Sequence, residues 1–327
     1  MVCIEARKKL MSKFGCLVAL SLLITLSSFA QQQQPDWDKV QVKIQKLSAN
    51  VYLLQGQGAN VGMGNIAAHV SDDGIVLVDC ELLQLGPKIE AALKTVSDKP
   101  VKYVLNTHWH GDHTGGNAYF GRTARIIAQD NVRTKMQTVP DARITNLAVS
   151  LPVITFSEQF TLHTLTGDIH AVYFPHGHTD GDSVVFFPQD NVVHMGDDLT
   201  NFEPIDATNF EPTRFPAINW ENDSGGGVQG PIAAGEYVLA HLPDDVKIIP
   251  GHGSVAGKNY LTKYVAFLKA TSAVVQAGID KGKTLQQLKE EKVLAKWDYL
   301  EKNGGLKSDA FLERLYTSLA QKNGRSN

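Results

Sequence analysis

The densest set of metal-ligand side chains in the sequence lies in the segment Thr107–His113, which reads THWHGDH. It places His108, His110, Asp112 and His113 within six residues, a density that folding alone does not require. Neutral imidazoles and a carboxylate are typical of zinc sites that keep one position open for water, whereas structural zinc sites are usually closed by cysteines. The segment therefore predicts a catalytic metal site and indicates hydrolytic chemistry.

The apolar run Val101–Leu105 directly before this segment predicts a buried β-strand that delivers the ligands. Successive side chains of a regular strand point to opposite faces, so a strand would direct His108 and His113 apart. A loop at the end of a strand can direct several side chains toward one point. We therefore expect the ligands to lie in a loop where this strand ends.

Three further polar motifs follow apolar runs later in the chain, and each contributes a candidate ligand. They are Pro175–Thr179 with His178, Met195–Asp198 with Asp197, and Ile249–Gly253 with His252. Considered alone, His178 and His252 are more typical of capping or core histidines than of ligands. Together with the first motif they predict two metal positions, with these side chains as ligands: His108, His110 and His178 for one ion, Asp112, His113 and His252 for the other, and Asp197 between them.

The histidine-rich motif, Gly-His-Thr, Gly-Asp and Pro-Gly-His, in this order, resemble the metallo-β-lactamase fold superfamily over about residues 40–268. The resemblance implies an α+β fold, a four-layer αββα sandwich of two mixed β-sheets flanked by helices, with a two-zinc site at the sheet edges. Asp79, which ends the apolar run Val76–Asp79, resembles the aspartate that supports the ligand loop in this family. Asp197 is favoured over Asp198 as the carboxylate that bridges the two metals, because the bridging carboxylate of this family usually follows the glycine directly.

The resemblance implies a metal-dependent hydrolase that uses a metal-bound hydroxide on a small carbonyl substrate, with Asp112 as the catalytic residue that orients the nucleophile. Gly196-Asp197-Asp198 stands where one β-lactamase subclass has a cysteine ligand, which disfavours that subclass. The remaining ligand set is compatible with β-lactam, lactone, ester and thioester substrates. Two Zn²⁺ ions are expected, and iron or manganese are the alternatives.

Two other functions remain open at this stage. Relatives of this fold hold iron, so an iron-dependent redox enzyme similar to persulfide dioxygenases is one alternative. A non-catalytic periplasmic metal-binding protein is the other. Trp109 could line the pocket beside the metals or pack under the ligand loop, and both interpretations remain open, whereas Arg214 is a candidate anchor for a substrate carboxylate. Arg214 lies in a Pro- and Gly-rich stretch, residues 201–230, together with four aromatic candidates for substrate contact: Phe202, Phe210, Phe215 and Trp220.

Residues 1–30 have the pattern of a signal peptide, because Lys8, Lys9 and Lys13 precede the apolar run Phe14–Phe29. This run is shorter than the roughly 20 residues that span a bilayer, so we expect an exported protein, periplasmic or secreted, without stable membrane insertion. Residues 31–39 are predicted to be a linker, 40–268 the metal-binding domain and 269–327 a C-terminal helical extension. Cys80 is the single cysteine beyond residue 30, which excludes a disulfide framework.

The formal net charge of the chain is −3, and it becomes about −6 without residues 1–30. An acidic chain of this kind is a poor match for nucleic acid, so the expected partner is a small-molecule substrate. The sequence indicates no oligomeric state. Among regular elements it predicts strands at 74–79, 183–187 and 192–195 and helices at 87–96, 228–242 and 258–279, with two further helices at the end of the chain.

Overall fold

The computed structural model describes residues 36–58, 63–201, 214–218, 225–303 and 305–322. The chain divides into the units Met1–Asp36 and Trp37–Asn327, and the architecture below is that of the second unit. The predicted signal peptide and most of the predicted linker lie outside the described residues. None of the helices in the described part of the chain is long and apolar enough to cross a membrane.

The first sheet has seven strands that follow one another in chain order. They are β1 (Gln41–Lys46), β2 (Val51–Gln57), β3 (Ile66–Ser71), β4 (Gly74–Val78), β5 (Val101–Leu105), β6 (Arg125–Gln129) and β7 (Ile154–Phe156). Strands β1 to β4 pair antiparallel, whereas β4 to β7 pair parallel, so the sheet is mixed. All five residues of β4 are buried, as expected of a strand covered on both faces.

The second sheet is also mixed, with the order β13-β11-β10-β9-β8. Its strands are β8 (Gln159–Thr164), β9 (Gly167–Tyr173), β10 (Ser183–Phe187), β11 (Val192–His194) and β13 (Lys247–Ile249). Only β11 and β13 pair parallel. Two short strands, β12 (Thr200–Asn201) and β14 (His252–Gly253), pair with each other outside both large sheets.

The helices lie on the outer faces of the two sheets. They are α1 (Gly86–Lys94), α2 (Gly111–Thr114), α3 (Asn117–Phe120), α4 (Asp130–Thr138), α5 (Leu147–Ser150), α6 (Gln229–His241), α7 (Lys258–Asp280), α8 (Leu285–Glu290) and α9 (Ser308–Lys322). One apolar core joins the first sheet to α1, and a second joins the other sheet to α6, α7 and α9. A third core contains residues of both sheets, including Val78 and Val185, and so lies between them. The predicted αββα sandwich is confirmed.

Two local features differ from the predictions made from the sequence. Strands β7 and β8 were not among the predicted elements. Strand β7 has only three residues, whereas β8 alternates polar and apolar residues, a pattern typical of a half-buried strand that the prediction missed. The segment after β5 is not entirely loop, since Gly111–Thr114 forms one helical turn. Asp112 and His113 therefore lie in a helical turn, and not in the irregular loop that was expected.

The C-terminal helices are part of the main core. The domain boundary predicted between residues 268 and 269 lies within helix α7. The division of the chain into these two domains remains a prediction. On α9, the side chains of Phe311 and Leu315 are fully buried, in the same apolar core as the strand residue Val193. The end of the chain therefore contributes directly to the layer that covers the second sheet.

We expect Leu315→Ala to lower the free energy of unfolding by about 2–5 kcal/mol, because the truncation leaves a cavity in a close-packed core. The matched control is Leu165→Ala, since Leu165 is 75% exposed in the turn between β8 and β9; its effect should stay within about 0.5 kcal/mol. Urea unfolding followed by circular dichroism measures both values. Equally small losses for both variants would contradict the packing of α9 against the second sheet.

Candidate metal centre

The predicted ligands lie where strands of both sheets end. His108 and His110 follow β5, Asp197 follows β11, and His252 follows β13. Backbone hydrogen bonds join these segments, from Ser183 N to Thr107 O at 2.8 Å and from Gly251 N to Gly196 O at 2.6 Å. Residues that are far apart in sequence therefore meet at one edge of the sandwich.

Three histidines form the first cluster. His108, His110 and His178 are buried and offer ligand atoms within 4.8 Å of one another. His178 Nδ1 lies 2.6 Å from the carbonyl oxygen of Ala217. Because a carbonyl only accepts, Nδ1 carries the proton and Nε2 keeps its lone pair. That Nε2 lies 3.0 Å from His110 Nδ1, and the buried Nε2 of His108 has no hydrogen-bond partner.

Asp112, His113 and His252 form the second cluster, with ligand atoms again within 4.8 Å of one another. His113 Nδ1 donates to Asp79 Oδ2 at 2.8 Å, and His252 Nδ1 donates to the carbonyl of Met63 at 2.9 Å. The Nε2 atoms of His113 and His252 consequently face each other, 3.3 Å apart.

Asp197 lies between the two clusters. Its Oδ1 is 3.3 Å from His113 Nε2, and its Oδ2 is 3.4 Å from the Nε2 atoms of both His178 and His252. Asp198 lies elsewhere, because its Oδ1 accepts a hydrogen bond from the backbone N–H of His178 at 2.9 Å. Of the two aspartates, it is Asp197 that faces imidazole nitrogens of both clusters.

The arrangement fits metal ions better than it fits protons. A proton shared between the Nε2 atoms of His113 and His252 can join that pair, but the buried Nε2 atoms of His108 and His110 have no hydrogen-bond partner among the described residues. A metal ion that accepts these lone pairs satisfies them, and nitrogen with carboxylate oxygen is a donor set that zinc prefers. The residues present therefore fit two metal ions, one at each cluster.

The acid–base properties of the two clusters differ. Burial, followed by the neighbouring His178, lowers the pKa of His110 to about 3, so this imidazole is neutral at pH 7 and ready to bind a cation. Burial opposes charge on His252 as well, but the carboxylates of Asp197 and Asp112 outweigh it and raise the pKa of His252 to about 10. In the second cluster a metal ion must therefore displace protons.

Asp79 hydrogen-bonds to Thr107, which precedes His108, and to His113. Its Oδ1 accepts from Thr107 N at 2.8 Å, and its Oδ2 accepts from Thr107 Oγ1 at 2.7 Å and from His113 Nδ1. Asp79 also lies within 4.8 Å of ligand atoms of His108 and His113. Both of its oxygens are already engaged by the chain, which favours the predicted role of orienting the ligands over binding the metal.

Two supporting residues had not been identified from the sequence. His194, which had been given no role, is fully buried, and it donates from Nε2 to Asn65 O at 3.1 Å while Nδ1 accepts from Gly196 N at 3.0 Å. It thereby holds the turn that precedes Asp197. Gly251 leaves space for the same carboxylate, because a Cβ at this position would overlap Asp197 Oδ1. His194 stands in no motif that distinguishes it from other histidines, whereas Gly251 is the glycine of the Pro-Gly-His motif, from which its contact with Asp197 could not be read.

The structure describes three of the predicted substrate contacts, namely Trp109, Arg214 and Phe215. Trp109 is 1% exposed, its ring lies edge-on to that of His110 at 4.5 Å, and it packs under the motif against Val132 and Met136, so it does not face an opening. Arg214 lies beside Phe215, which is not a substrate contact as expected but a core residue, buried and stacked on Phe311 at 4.7 Å. Phe202, Phe210 and Trp220 lie outside the described residues.

The sequence is similar to those of known proteins. The sequence profile of the Metallo-beta-lactamase superfamily matches residues 47–252. The metallo-beta-lactamase type 2 of Bacteroides fragilis is 22% identical over 266 residues, which are 78% of this chain and 97% of that protein. The linear primary-alkylsulfatase of a Pseudomonas species is 25% identical over 97 residues, which are 29% of this chain, and the match spans only 18% of the alkylsulfatase.

Solved structures show a similar fold. A metallo-beta-lactamase from Pontibacter korlensis superposes with a TM-score of 0.55 at 18% identity, covering 70% of this chain and 99% of that structure. The DIM-1 metallo-beta-lactamase superposes with a TM-score of 0.54 at 16% identity, covering 71% of this chain and 99% of that structure. At these identities the likeness concerns the fold alone.

We expect Asp79→Asn to weaken metal binding at the second cluster about 10–100-fold, the usual effect of removing a partner that orients a ligand. An amide places an N–H group opposite one of the donors, Thr107 or His113, that now point at a carboxylate. Zinc titration of the metal-free protein measures the change. The control is Asp73→Asn, because the Asp73 carboxylate accepts from Ser71 Oγ and does not contact the clusters. Unchanged affinity in Asp79→Asn would contradict the orienting role.

Proposed function

The chain belongs to the metallo-beta-lactamase superfamily, and on this premise we propose that it is a zinc-dependent hydrolase of small carbonyl substrates, namely β-lactams, lactones, esters or thioesters. The observation that carries the proposal is the pair of ligand clusters with Asp197 between them. Zn²⁺ ions held there would lower the pKa of water to near 7 and polarise a substrate carbonyl.

The residues of the chain have distinct tasks in this proposal. His108, His110 and His178 would hold one ion, and Asp112, His113 and His252 the other, each imidazole presenting a nitrogen that no backbone acceptor occupies. Burial disfavours charge on Asp112, but His252, His113 and Arg143 outweigh it and lower its pKa, so Asp112 is a carboxylate at neutral pH. An ionised Asp112 can accept a hydrogen bond from the attacking water and orient it toward the carbonyl.

Cys80 does not take part in this site. Its Sγ is buried and donates to Asn117 Oδ1 at 3.0 Å, and burial raises the pKa of the thiol, so a thiolate ligand is unfavourable. The donor set therefore consists of imidazoles and carboxylates. This composition supports a β-lactamase-like hydrolase without a cysteine ligand, and the Bacteroides fragilis relative makes a β-lactam the substrate to test first. Export to the periplasm or medium remains part of the proposal.

The proposal is tested with a chromogenic β-lactam and the full chain, zinc-loaded or stripped with a chelator, with bound metal determined in the same samples. We expect turnover that the chelator abolishes and zinc restores. If the fully metallated protein leaves the β-lactam intact, lactones, esters and thioesters are tested next, and inactivity on all four classes would overturn the hydrolase proposal. Bound iron with oxygen uptake on persulfides would support the redox alternative instead.

Asp112→Asn should lower kcat by about 10²–10⁴-fold, because the amide keeps the shape of the side chain but is a much weaker acceptor for the water. The matched control is Asp244→Asn, which removes a surface carboxylate that pairs only with Lys258 and should leave kcat unchanged. Steady-state kinetics on whichever substrate proves active, with metal content determined in parallel, measure the effect. Near-normal kcat at normal metal content would overturn the assigned role of Asp112.

A further inference from the structure

We propose that Arg143, held in place by Asp141, positions Asp112 and thereby controls occupancy of the metal position at the second cluster. This inference rests on the two-metal centre of the proposed function. Arg143 lies in the segment after α4, outside every motif that the sequence had singled out. Its side chain is 41% exposed, so it is a boundary residue and not part of the apolar core.

The two carboxylate oxygens of Asp112 have different partners, and the guanidinium group of Arg143 holds one of them. Arg143 Nη1 donates to Asp112 Oδ1 at 2.8 Å. Asp112 Oδ2 instead lies 3.4 Å from His252 Nε2 and 3.9 Å from His113 Nε2. One oxygen is thus held by arginine on the outer side, and the other is presented to the imidazoles of the second cluster.

Asp141 fixes the guanidinium relative to the ligand motif. Its Oδ2 accepts from Arg143 Nη2 at 2.7 Å and from the backbone N–H of Gly111 at 3.0 Å. Its Oδ1 accepts from the backbone N–H of Arg143 at 2.8 Å. Because Gly111 directly precedes Asp112, the same carboxylate contacts the arginine and the backbone beside the residue that the arginine holds. The relative position of Arg143 and Asp112 is therefore fixed from both ends.

The chemistry of arginine suits this role. The guanidinium is planar, always charged and able to donate to two carboxylates at once, whereas the ammonium of lysine is a point charge without a fixed fork. A carboxylate that is free to rotate could present either oxygen to a metal, and each rotamer would be populated only part of the time. Holding Oδ1 removes this freedom before the metal binds, so the ligand oxygen is preorganised.

The first cluster provides an internal reference, because Asp112, the carboxylate that Arg143 holds, belongs to the second cluster and not to the trio His108, His110 and His178. A loss of Arg143 should therefore affect the two metal positions unequally. General destabilisation of the fold would weaken both positions, which separates the positioning role from a merely structural one.

The test is titration of the full-length metal-free chain with Co²⁺ and Zn²⁺, followed by calorimetry and by the visible absorption of bound Co²⁺. In Arg143→Gln we expect the first equivalent to bind as in the unmodified chain and the second to bind about 10–100-fold more weakly. Arg143→Lys should recover part of the loss, and Asp141→Asn should weaken the second equivalent as well. The control is Arg122→Gln, which changes an exposed arginine between α3 and β6 and should bind both equivalents normally.

Unchanged binding of the second equivalent in Arg143→Gln would overturn the inference, and so would an equal loss at both positions. Thermal unfolding of the metal-free variants shows whether either change has damaged the fold. The readout does not use turnover, so the two proposals fail separately. An unmodified chain that binds two equivalents but shows no hydrolysis would leave this inference standing, whereas a chain that binds fewer than two would remove its basis.

Discussion

The structure depends on a requirement at the candidate ligand histidines, namely that each imidazole directs one ring nitrogen into the site in a fixed orientation. His113, His178 and His252 meet it in the same way, with Nδ1 donating to an oxygen acceptor and Nε2 turned into the site. The acceptors are the Asp79 carboxylate and the carbonyls of Ala217 and Met63, which come from three distant parts of the chain. The orientation of three small rings therefore requires the two sheets and their connections to be in place together.

This requirement conflicts locally with stability. Ring nitrogens that are buried without a hydrogen-bond partner are costly, and His108 Nε2 and His110 Nε2 are both in this position. The three apolar cores that join four layers offset this cost. A metal ion that bound the folded state alone would add stabilisation that grows with metal concentration. The large cores thus allow the fold to hold these nitrogens in place without protein partners.

Much of the architecture and most of the ligand set could be predicted from the sequence, for a physical reason. Metal ligands are side chains of few types, and their density in Thr107–His113 is visible without a structure. The strand at Ser183–Phe187 was predicted to the residue, because a continuous apolar run is typical of a strand buried on both faces. The groups that orient the candidate ligand side chains could not be predicted from the sequence. Backbone carbonyls have no signature in the sequence, and the contact from Arg143 to Asp112 joins residues 31 positions apart.

Helix α9 contacts the segment whose backbone carbonyl orients His178. Ala217, whose carbonyl orients His178, precedes Ile218, whose carbonyl accepts from Arg314 on α9 at 3.3 Å. On the same helix, Ser318 Oγ accepts from Val228 N at 3.0 Å, in the segment that hydrogen-bonds back to the backbone beside His178.

The profile of the superfamily ends at His252, well before α9 begins. A helix outside the matched region therefore hydrogen-bonds to the segment whose carbonyl orients His178. A change of packing in this helix would reach His178 through the position of the Ala217 carbonyl oxygen, so the orientation of a candidate ligand depends on residues beyond the profile of the superfamily.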